Sequence, residues 1–299
     1  MELLRAVRAT ESVRHLAEGP GWDAERQCAT WVDIESGTLW RAQLSDQGLG
    51  PPEIVHRSDL PLGFAIQGRG ADWIIPHGGT LTTIGGSVSS PLFSDPCRRF
   101  NDAIADAAGR VIAGTLHRDP VPDPPNEVLA RLEPDGNWSV LRAGLTLANG
   151  LSFSQDGATL FHVDGTMSRV VASSDYKNNG PWSTAFAVDN GYPDGMCADA
   201  DGLLWVAIWG AGEVRRYDPD GTILTRVQIP APNVSSVAFV GAMLDTLLIT
   251  TARQDLDHTE LARWPDSGAL SFADPNVAGV PQHRAGARTG RVREAMTAR

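Results

Sequence analysis

The stretch that decides the fold runs from Tyr192 to Gly221 and reads YPDGMCADADGLLWVAIWGAGEVRRYDPDG. It contains the apolar run LLWVAIW and the shorter run EVRRY, and a Gly-containing turn follows each of them. Runs of this length between turn residues predict short strands rather than helices. The pair Asp194-Gly195 that precedes them has two interpretations. It is either an ordinary surface turn or an acidic ligand held at the start of a strand.

Similar β-rich units recur along the chain. One apolar residue marks the centre of each of six units: Trp31, Ile74, Ile112, Phe161, Trp205 and Leu248. Successive centres are 43, 38, 49, 44 and 43 residues apart. Periods of about 40–50 residues with several short strands each are typical of β-propeller blades. Helix signals are nearly absent, and only the first dozen residues suit a short helix.

A second marker precedes each apolar run. It begins at Glu18, Gly63, Asn101, Asn149, Asp194 and Asn233, in steps of 45, 38, 48, 45 and 39 residues. In a propeller the innermost strand of each blade lines the central channel, so residues that start these strands converge at one end of it. An Asx-Gly pair alone is a common turn. Four polar positions in phase instead favour a shared site formed by Glu18, Asn101, Asn149 and Asp194.

Two carboxylates and two amides at one channel mouth form a set of hard oxygen donors. Carboxylates in a confined site repel each other, and a divalent cation relieves that repulsion. Oxygen-only ligands favour Ca²⁺, Mg²⁺ or Mn²⁺, with Zn²⁺ as a further alternative. Three protein ligands would leave coordination positions for water and substrate, which a catalytic metal needs. Arg99 lies on the same side of its strand as Asn101. It suits a substrate hydroxyl or carbonyl oxygen, and an ion pair with a rim aspartate is the alternative.

Four motifs resemble those of the SMP-30/gluconolactonase/luciferin-regenerating-enzyme family over roughly residues 18–282. They are EGPGWDAERQCATWVDI, RRFNDAIADAAGRVIAGT, ANGLSFSQDGATLFHVD and YPDGMCADADGLLWVAIWGAGEVRRYDPDG. The resemblance implies an all-β fold, a six-bladed β-propeller with a central metal site. It also implies metal-dependent hydrolysis of a sugar lactone to the aldonic acid.

The same resemblance implies roles for individual residues. Glu18, Asn149 and Asp194 would hold one divalent metal ion, with Ca²⁺ as the first choice, and Asp194 would also act as the general base. The substrate would be contacted by Arg99, Asn101 and Asp119. Asp119 lies in the run LHRDPVPDPPNE, where the sequence departs from the family pattern.

Two other functions stay open at this stage. A related propeller esterase or phosphotriesterase would share the metal and differ at the pocket rim. A non-catalytic propeller would bind a partner on its face, since fold alone does not decide function, but it would have no use for polar residues in phase. Serine-nucleophile chemistry is disfavoured because the sequence contains no G-x-S-x-G elbow. The sequence leaves open the particular lactone, the metal used in the cell and the oligomeric state.

Composition excludes several kinds of partner. The formal net charge of −11 argues against nucleic acid and against anionic membrane surfaces, and no apolar run approaches the ~20 residues of a membrane span. Cys28, Cys97 and Cys197 are scattered without a CxxC pair, which is typical of reduced thiols in a cytoplasmic protein. The family resemblance implies a small-molecule lactone as the partner, and we expect a single domain at residues 1–282. An Arg-rich, disordered tail is expected at residues 283–299.

Overall fold

A computed structural model describes residues 1–69, 72–84, 86–87, 89–118 and 122–286. Across these residues the chain folds into six antiparallel sheets, each built largely from strands that follow one another in sequence. The innermost strands contact each other in five of the six pairs of neighbouring sheets, and the sixth pair shares a hydrophobic core that includes Val32 and Ile75, which completes the ring. The molecule is therefore the all-β, six-bladed β-propeller that the sequence predicts.

The strands of each blade run outward from the central channel, and we number the blades by chain order. Blades 1 and 2 contain Ala17–Asp23, Cys28–Asp33, Thr38–Ser45, Gly48–Leu49 and Glu53–Arg57, then Ile66–Gln67, Trp73–His77, Thr80–Thr83 and Gly86–Ser87. Blades 3 and 4 contain Arg98–Ala105, Val111–His117, Glu127–Leu132 and Trp138–Leu145, then Ala148–Phe153, Leu160–Asp164, Arg169–Ser173 and Ser183–Ala187. Blades 5 and 6 contain Tyr192–Ala198, Leu204–Trp209, Glu213–Tyr217 and Ile223–Gln228, then Val234–Val240, Thr246–Thr251 and Ser271–Ala273.

Helical structure within the described ranges is short. Two 3₁₀ turns span Gly165–Met167 and Tyr176–Asn178, and one α-helix spans His258–Arg263 in blade 6. Asp257 caps that helix, because its side chain accepts hydrogen bonds from the Thr259 and Glu260 backbone amides. None of these helices has the length and apolar character that crossing a membrane requires.

The N-terminal segment closes the ring, and the expectation of a short helix there is wrong. Glu2–Arg5 adds a parallel strand to Ile223–Gln228, and Val7–Arg8 pairs with Ser271–Ala273. Leu4 also packs on the core between blades 5 and 6. The outer edges of these two blades offer unpaired backbone groups, and pairing with them outweighs the weak local helix preference.

The apolar residues that mark the six units all lie in the second strand of their blades. Five of them are buried in the core and one, Phe161, is half-buried: Trp31, Ile74, Ile112, Phe161, Trp205 and Leu248. Trp205 of blade 5 meets Phe239 of blade 6 edge to face, with ring centroids 6.2 Å apart. The core therefore consists largely of side chains packed between neighbouring blades, which fixes where each inner strand lies.

The inner strands carry a recurring β-bulge. Five of them shift register against the second strand at the positions of the polar marker: Glu18/Gly21, Phe100/Ala103, Asn149/Leu151, Pro193/Met196 and Val234/Ser236. A bulge bends its strand and turns side chains away from simple alternation. The repeated irregularity therefore sets the direction of the polar residues at the channel.

The chain after residue 282 continues to pack against the propeller before the described region ends. Ala285 donates its backbone amide to Gln67 and accepts from Arg69, and Arg284 forms an ion pair with Glu25. The expected tail boundary at residue 283 thus falls inside packed chain. Residues 287–299 lie outside the described residues, and a disordered tail there stays a prediction.

Candidate active site

Three polar side chains from neighbouring inner strands contact one another at the channel. Asn101 Nδ2 of blade 3 donates to Asn149 Oδ1 of blade 4 at 3.1 Å and to the Ala148 carbonyl at 3.0 Å. Asn149 Nδ2 donates in turn to Asp194 Oδ1 of blade 5 in a short hydrogen bond. Three residues of the recurring polar marker thus form a continuous line of hydrogen bonds across blades 3, 4 and 5.

The pair Asp194-Gly195 is part of a strand and not a surface turn. Both residues lie in the bulge of the inner strand, opposite Ala207 of the second strand, and Asp194 is only 6% exposed. A Cβ atom on Gly195 would lie 2.1 Å from Ser236 Oγ of blade 6. The glycine is therefore required by close packing between blades, which in turn places Asp194 at the channel.

Arg99 sits beside Asn101, as the alternation of the strand predicts. Its Nη1 donates to Asn101 Oδ1 at 2.7 Å and to the Phe100 carbonyl at 3.1 Å. Burial lowers the pKa of Arg99 to about 10, while the carboxylates of Glu35, Glu18 and Asp194 oppose that shift. No aspartate among the described residues forms an ion pair with Arg99, so its charge faces the site.

Glu18 contributes a carboxyl group from blade 1. Its Oε2 accepts a hydrogen bond from the Gly19 amide at 2.9 Å. The pKa of Glu18 is raised to about 8, mainly by burial and also by the charge of Asp102. Burial also raises the pKa of Asp194 well above its usual range, with smaller contributions from the charges of Glu18 and Asp102. Glu18, Asp102 and Asp194 therefore lie close enough together for the charge of one carboxyl group to change the pKa of another.

Asp102 is a member of this group that the sequence analysis missed. Burial raises its pKa to about 6, and its Oδ1 accepts from the Ala103 amide at 2.7 Å. Strict alternation would send Asn101 and Asp102 to opposite sides of the strand, but both lie in a bulge opposite Gly114. Two consecutive polar residues between Phe100 and the apolar run AIA were the available signal.

His162 contacts the backbone of the strand that carries Asn149. Its Nδ1 donates to the Asn149 carbonyl at 3.0 Å, and burial lowers its pKa to about 3. The imidazole is therefore neutral at ordinary pH and acts as a fixed donor to the bulge that carries Asn149. This contact restrains the backbone next to the side chain that joins Asn101 to Asp194.

The donor chemistry of the site suits a hard divalent cation. The carboxyl groups of Glu18 and Asp194 and the amide oxygen of Asn149 are the ligand types that Ca²⁺ takes in proteins. Asn149 Oδ1 accepts one hydrogen bond, from Asn101, and a carbonyl oxygen has a second lone pair. Nearby positive charge would also lower the raised pKa values of Glu18 and Asp194. The residues present therefore fit such an ion.

Asp119 lies outside the described residues, so its expected contact with substrate stays a prediction. His117, which the sequence places nearest to the Asp119 segment, ends the second strand of blade 3. Its Nε2 lies 3.2 Å from Asp95 Oδ2, in a cluster separate from the contacts of Asn101, Asn149 and Asp194.

Comparison with known proteins identifies the family and supports the fold. The family described as the SMP-30/Gluconolactonase/LRE-like region matches residues 16–253. The pentonolactonase XacC of Haloferax volcanii is 33% identical over 299 residues, covering 96% of this chain and 100% of that protein. A 6-deoxy-6-sulfogluconolactonase of Pseudomonas putida is 31% identical and covers 94% and 98%. Among solved structures, the calcium-binding protein regucalcin of Agrobacterium tumefaciens superposes with a TM-score of 0.84 at 24% identity, covering 96% and 99%.

Proposed function

The chain belongs to the SMP-30/gluconolactonase/LRE-like family, and from that premise we propose that it hydrolyses a sugar lactone to the aldonic acid with one divalent metal ion. Two relatives similar over nearly their whole length carry lactonase names. The observation that carries the proposal is the contact of Asn101, Asn149 and Asp194 beside a second channel carboxyl, Glu18. A site of this composition suits polarisation of an ester carbonyl.

Glu18, Asn149 and Asp194 would hold the metal. When bound, the ion acts as a Lewis acid that polarises the lactone carbonyl and stabilises the negative charge of the tetrahedral intermediate. Ca²⁺ is the first choice because all three ligands are oxygens, and because the regucalcin neighbour is described as calcium-binding. Mg²⁺, Mn²⁺ and Zn²⁺ are the alternatives that a metal series would separate.

Asp194 is the proposed general base. One of its oxygens accepts from Asn149, which fixes the carboxyl group in the channel. Asp194 would take a proton from the attacking water as the new C–O bond forms. It would return that proton to the ring oxygen as the ester C–O bond breaks, which yields the open-chain hydroxy acid. Burial raises the pKa of Asp194, and nearby positive charge would lower it and favour the ionised carboxylate.

Arg99 and Asn101 are proposed to orient the substrate. The hydrogen bond from Arg99 Nη1 to Asn101 Oδ1 holds the two side chains together, and the guanidinium has further N–H donors for sugar hydroxyls or the carbonyl oxygen. Asp119 is proposed as a third substrate contact. In the sequence Asp119 follows His117 by two residues, and His117 ends the blade 3 strand in which Leu116 pairs with Arg99.

A substrate panel with and without chelator tests the proposal. Aldonolactones, aryl esters and phosphotriesters are compared under identical conditions, before EDTA, after EDTA and after Ca²⁺ is restored. We expect the highest kcat/KM on an aldonolactone, loss of hydrolysis with EDTA and recovery with metal. A preference for aryl esters or phosphotriesters would favour the related propeller hydrolase. Absence of any hydrolysis by the folded, metal-loaded protein would favour a binding module.

A further inference from the structure

A second cluster of metal-ligand side chains lies in blade 3, apart from the channel contacts. Asp95 and Cys97 precede the inner strand that begins at Arg98, and His117 ends the second strand, where it pairs with Arg98 in the ladder. One ligand atom from each of the three lies within 4.8 Å of the other two. We call Asp95, Cys97 and His117 the rim cluster.

One ring nitrogen of His117, Nε2, faces a hydrogen-bond acceptor, Asp95 Oδ2. His117 Nδ1 contacts the Arg118 carbonyl oxygen, which can only accept, so Nδ1 carries the proton. In the neutral imidazole Nε2 then has a lone pair, yet it faces Asp95 Oδ2 at 3.2 Å. Two acceptors at that distance need either a proton or a metal ion between them.

The surrounding backbone holds the other two ligands in place. Asp95 Oδ1 accepts from the Cys97 amide at 2.9 Å, and the Arg118 amide donates to the Cys97 carbonyl at 2.9 Å. A histidine whose Nδ1–H is bound to a carbonyl is the usual arrangement of a metal-binding imidazole. Metal–ligand bonds of about 2.0–2.3 Å in a tetrahedral site put ligand atoms roughly 3.4 Å apart, near the separation of Nε2 and Oδ2.

The side chain of Arg98, the basic residue next to Cys97, forms its hydrogen bonds outside the rim cluster. Arg98 is committed to Glu127, with Nε at 3.0 Å from Oε1, and to Asn126 through Nη2 at 2.6 Å. Salt-bridge contacts to Asp95 in the described part of the chain come from His117 itself. The cluster therefore brings a carboxylate, a thiol and an imidazole, three types of metal ligand, around one point.

We propose that the rim cluster binds one Zn²⁺ ion. A thiolate and an imidazole beside a single carboxylate select zinc over the hard cations that suit the oxygen ligands of the channel. Three protein ligands leave a fourth tetrahedral position for water or a ligand. The site lies only two residues before Arg99 along the inner strand, and it is independent of the proposed lactonase function.

Cobalt substitution tests the site directly. Metal-free full-length protein is titrated with Co²⁺ and then with Zn²⁺, in the absence of any lactone. We expect a thiolate-to-cobalt charge-transfer band that saturates at one equivalent and disappears when Zn²⁺ is added. The channel site has only oxygen ligands and gives no such band, so failure of the lactonase proposal would leave this result unchanged.

Variants identify the ligands. Cys97→Ser should abolish the band, and His117→Gln should weaken Zn²⁺ binding at least tenfold. The control Cys28→Ser removes a cysteine outside the cluster and should keep the band. Cys97 is exposed, so its replacement leaves the fold intact. A folded wild-type protein without the band, or a Cys97→Ser protein that keeps it, would overturn the proposal and leave a protonated His117 paired with Asp95.

Discussion

Asp194 is the residue on which the proposed chemistry depends most. Asn in its place keeps the size and a ligand oxygen but removes the group that accepts a proton. We expect kcat of Asp194→Asn on the best lactone to fall about 10²–10⁴-fold, the usual contribution of a general base, while Ca²⁺ binding weakens less. Steady-state kinetics beside calcium titration measure both quantities.

The control for Asp194→Asn is Asp220→Asn, which makes the same change on an exposed turn of blade 5. It should leave kcat and calcium affinity unchanged. Turnover of Asp194→Asn within a few fold of the wild type would remove the proposed base from the mechanism and leave Asp194 only a ligand role.

The raised pKa of Glu18 predicts that the free energy of unfolding of the metal-free protein depends on pH. Burial raises its pKa from 4.5 to about 8, so the folded protein keeps a proton that the unfolded chain releases. The resulting stabilisation is complete below about pH 4.5 and is lost as the pH rises through about 8. In EDTA, we expect the Tm of wild type relative to Glu18→Gln to fall as the pH is raised through this range.

The same carboxyl group links stability to metal. Ca²⁺ binds the folded protein and must displace that proton. The rise in Tm on adding Ca²⁺ should therefore be larger near pH 8 than near pH 6, and proton release should accompany calcium binding at neutral pH. A Tm difference between wild type and Glu18→Gln that does not vary with pH would show that Glu18 titrates normally.

At the scale of the element, the bulges of the inner strands control the site. A Cβ on Gly195 would lie 2.1 Å from Ser236 Oγ and 2.8 Å from Ser236 Cα. Gly195→Ala must therefore displace either its own strand or that of blade 6. We expect a loss of about 1–3 kcal/mol in the free energy of unfolding, typical of overpacking, together with weaker calcium binding. Denaturant unfolding and calorimetric titration measure the two effects.

Gly86→Ala is the matched control for Gly195→Ala. An added Cβ at Gly86 meets nothing within 4 Å, and the residue lies in an outer strand of blade 2. Its unfolding free energy should change by less than ~0.5 kcal/mol. Equal effects of the two substitutions would mean that Gly195 is not held by close packing between the blades.

Strands were easier to predict than the irregularities within them. Residues such as Trp31 and Trp205 recur at a regular spacing because the second strand of each blade is buried. Repeated apolar runs in the sequence are enough to reveal that spacing. The bulge at Asn101 and Asp102 depends on register against Gly114, which local pattern does not contain, and so Asp102 was missed. The N-terminal strands were missed for a related reason, since their pairing partners lie more than 200 residues away in the sequence.

At the scale of the whole molecule, the ring is closed by the N-terminal segment. Leu4 packs on the shared core of blades 5 and 6, whereas Leu3 is 56% exposed on the same strand. We expect Leu4→Ala to lower the free energy of unfolding by about 1–2 kcal/mol, because Leu4 is only partly buried, and Leu3→Ala to change it by less than ~0.5 kcal/mol. Denaturant unfolding of the two variants compares the two faces of this strand. Equal losses of unfolding free energy would contradict closure of the ring by the N-terminal segment.

Closure also explains how distant residues form one site. Each inner strand is positioned by the blades on either side, so Glu18 and Asp194 depend on a complete ring although 176 residues separate them. Loosening the junction of blades 5 and 6 should therefore weaken calcium binding even where no ligand has been changed. The free energy of unfolding of the propeller and the affinity of its channel for calcium are therefore linked.

A crystal structure of the protein grown with Ca²⁺ tests the central claim most directly. We predict one ion in the channel, with oxygens of Glu18, Asn149 and Asp194 at about 2.3–2.6 Å from it. A well-ordered structure with the carboxyl groups of Glu18 and Asp194 turned away from each other, and no ion between them, would contradict it.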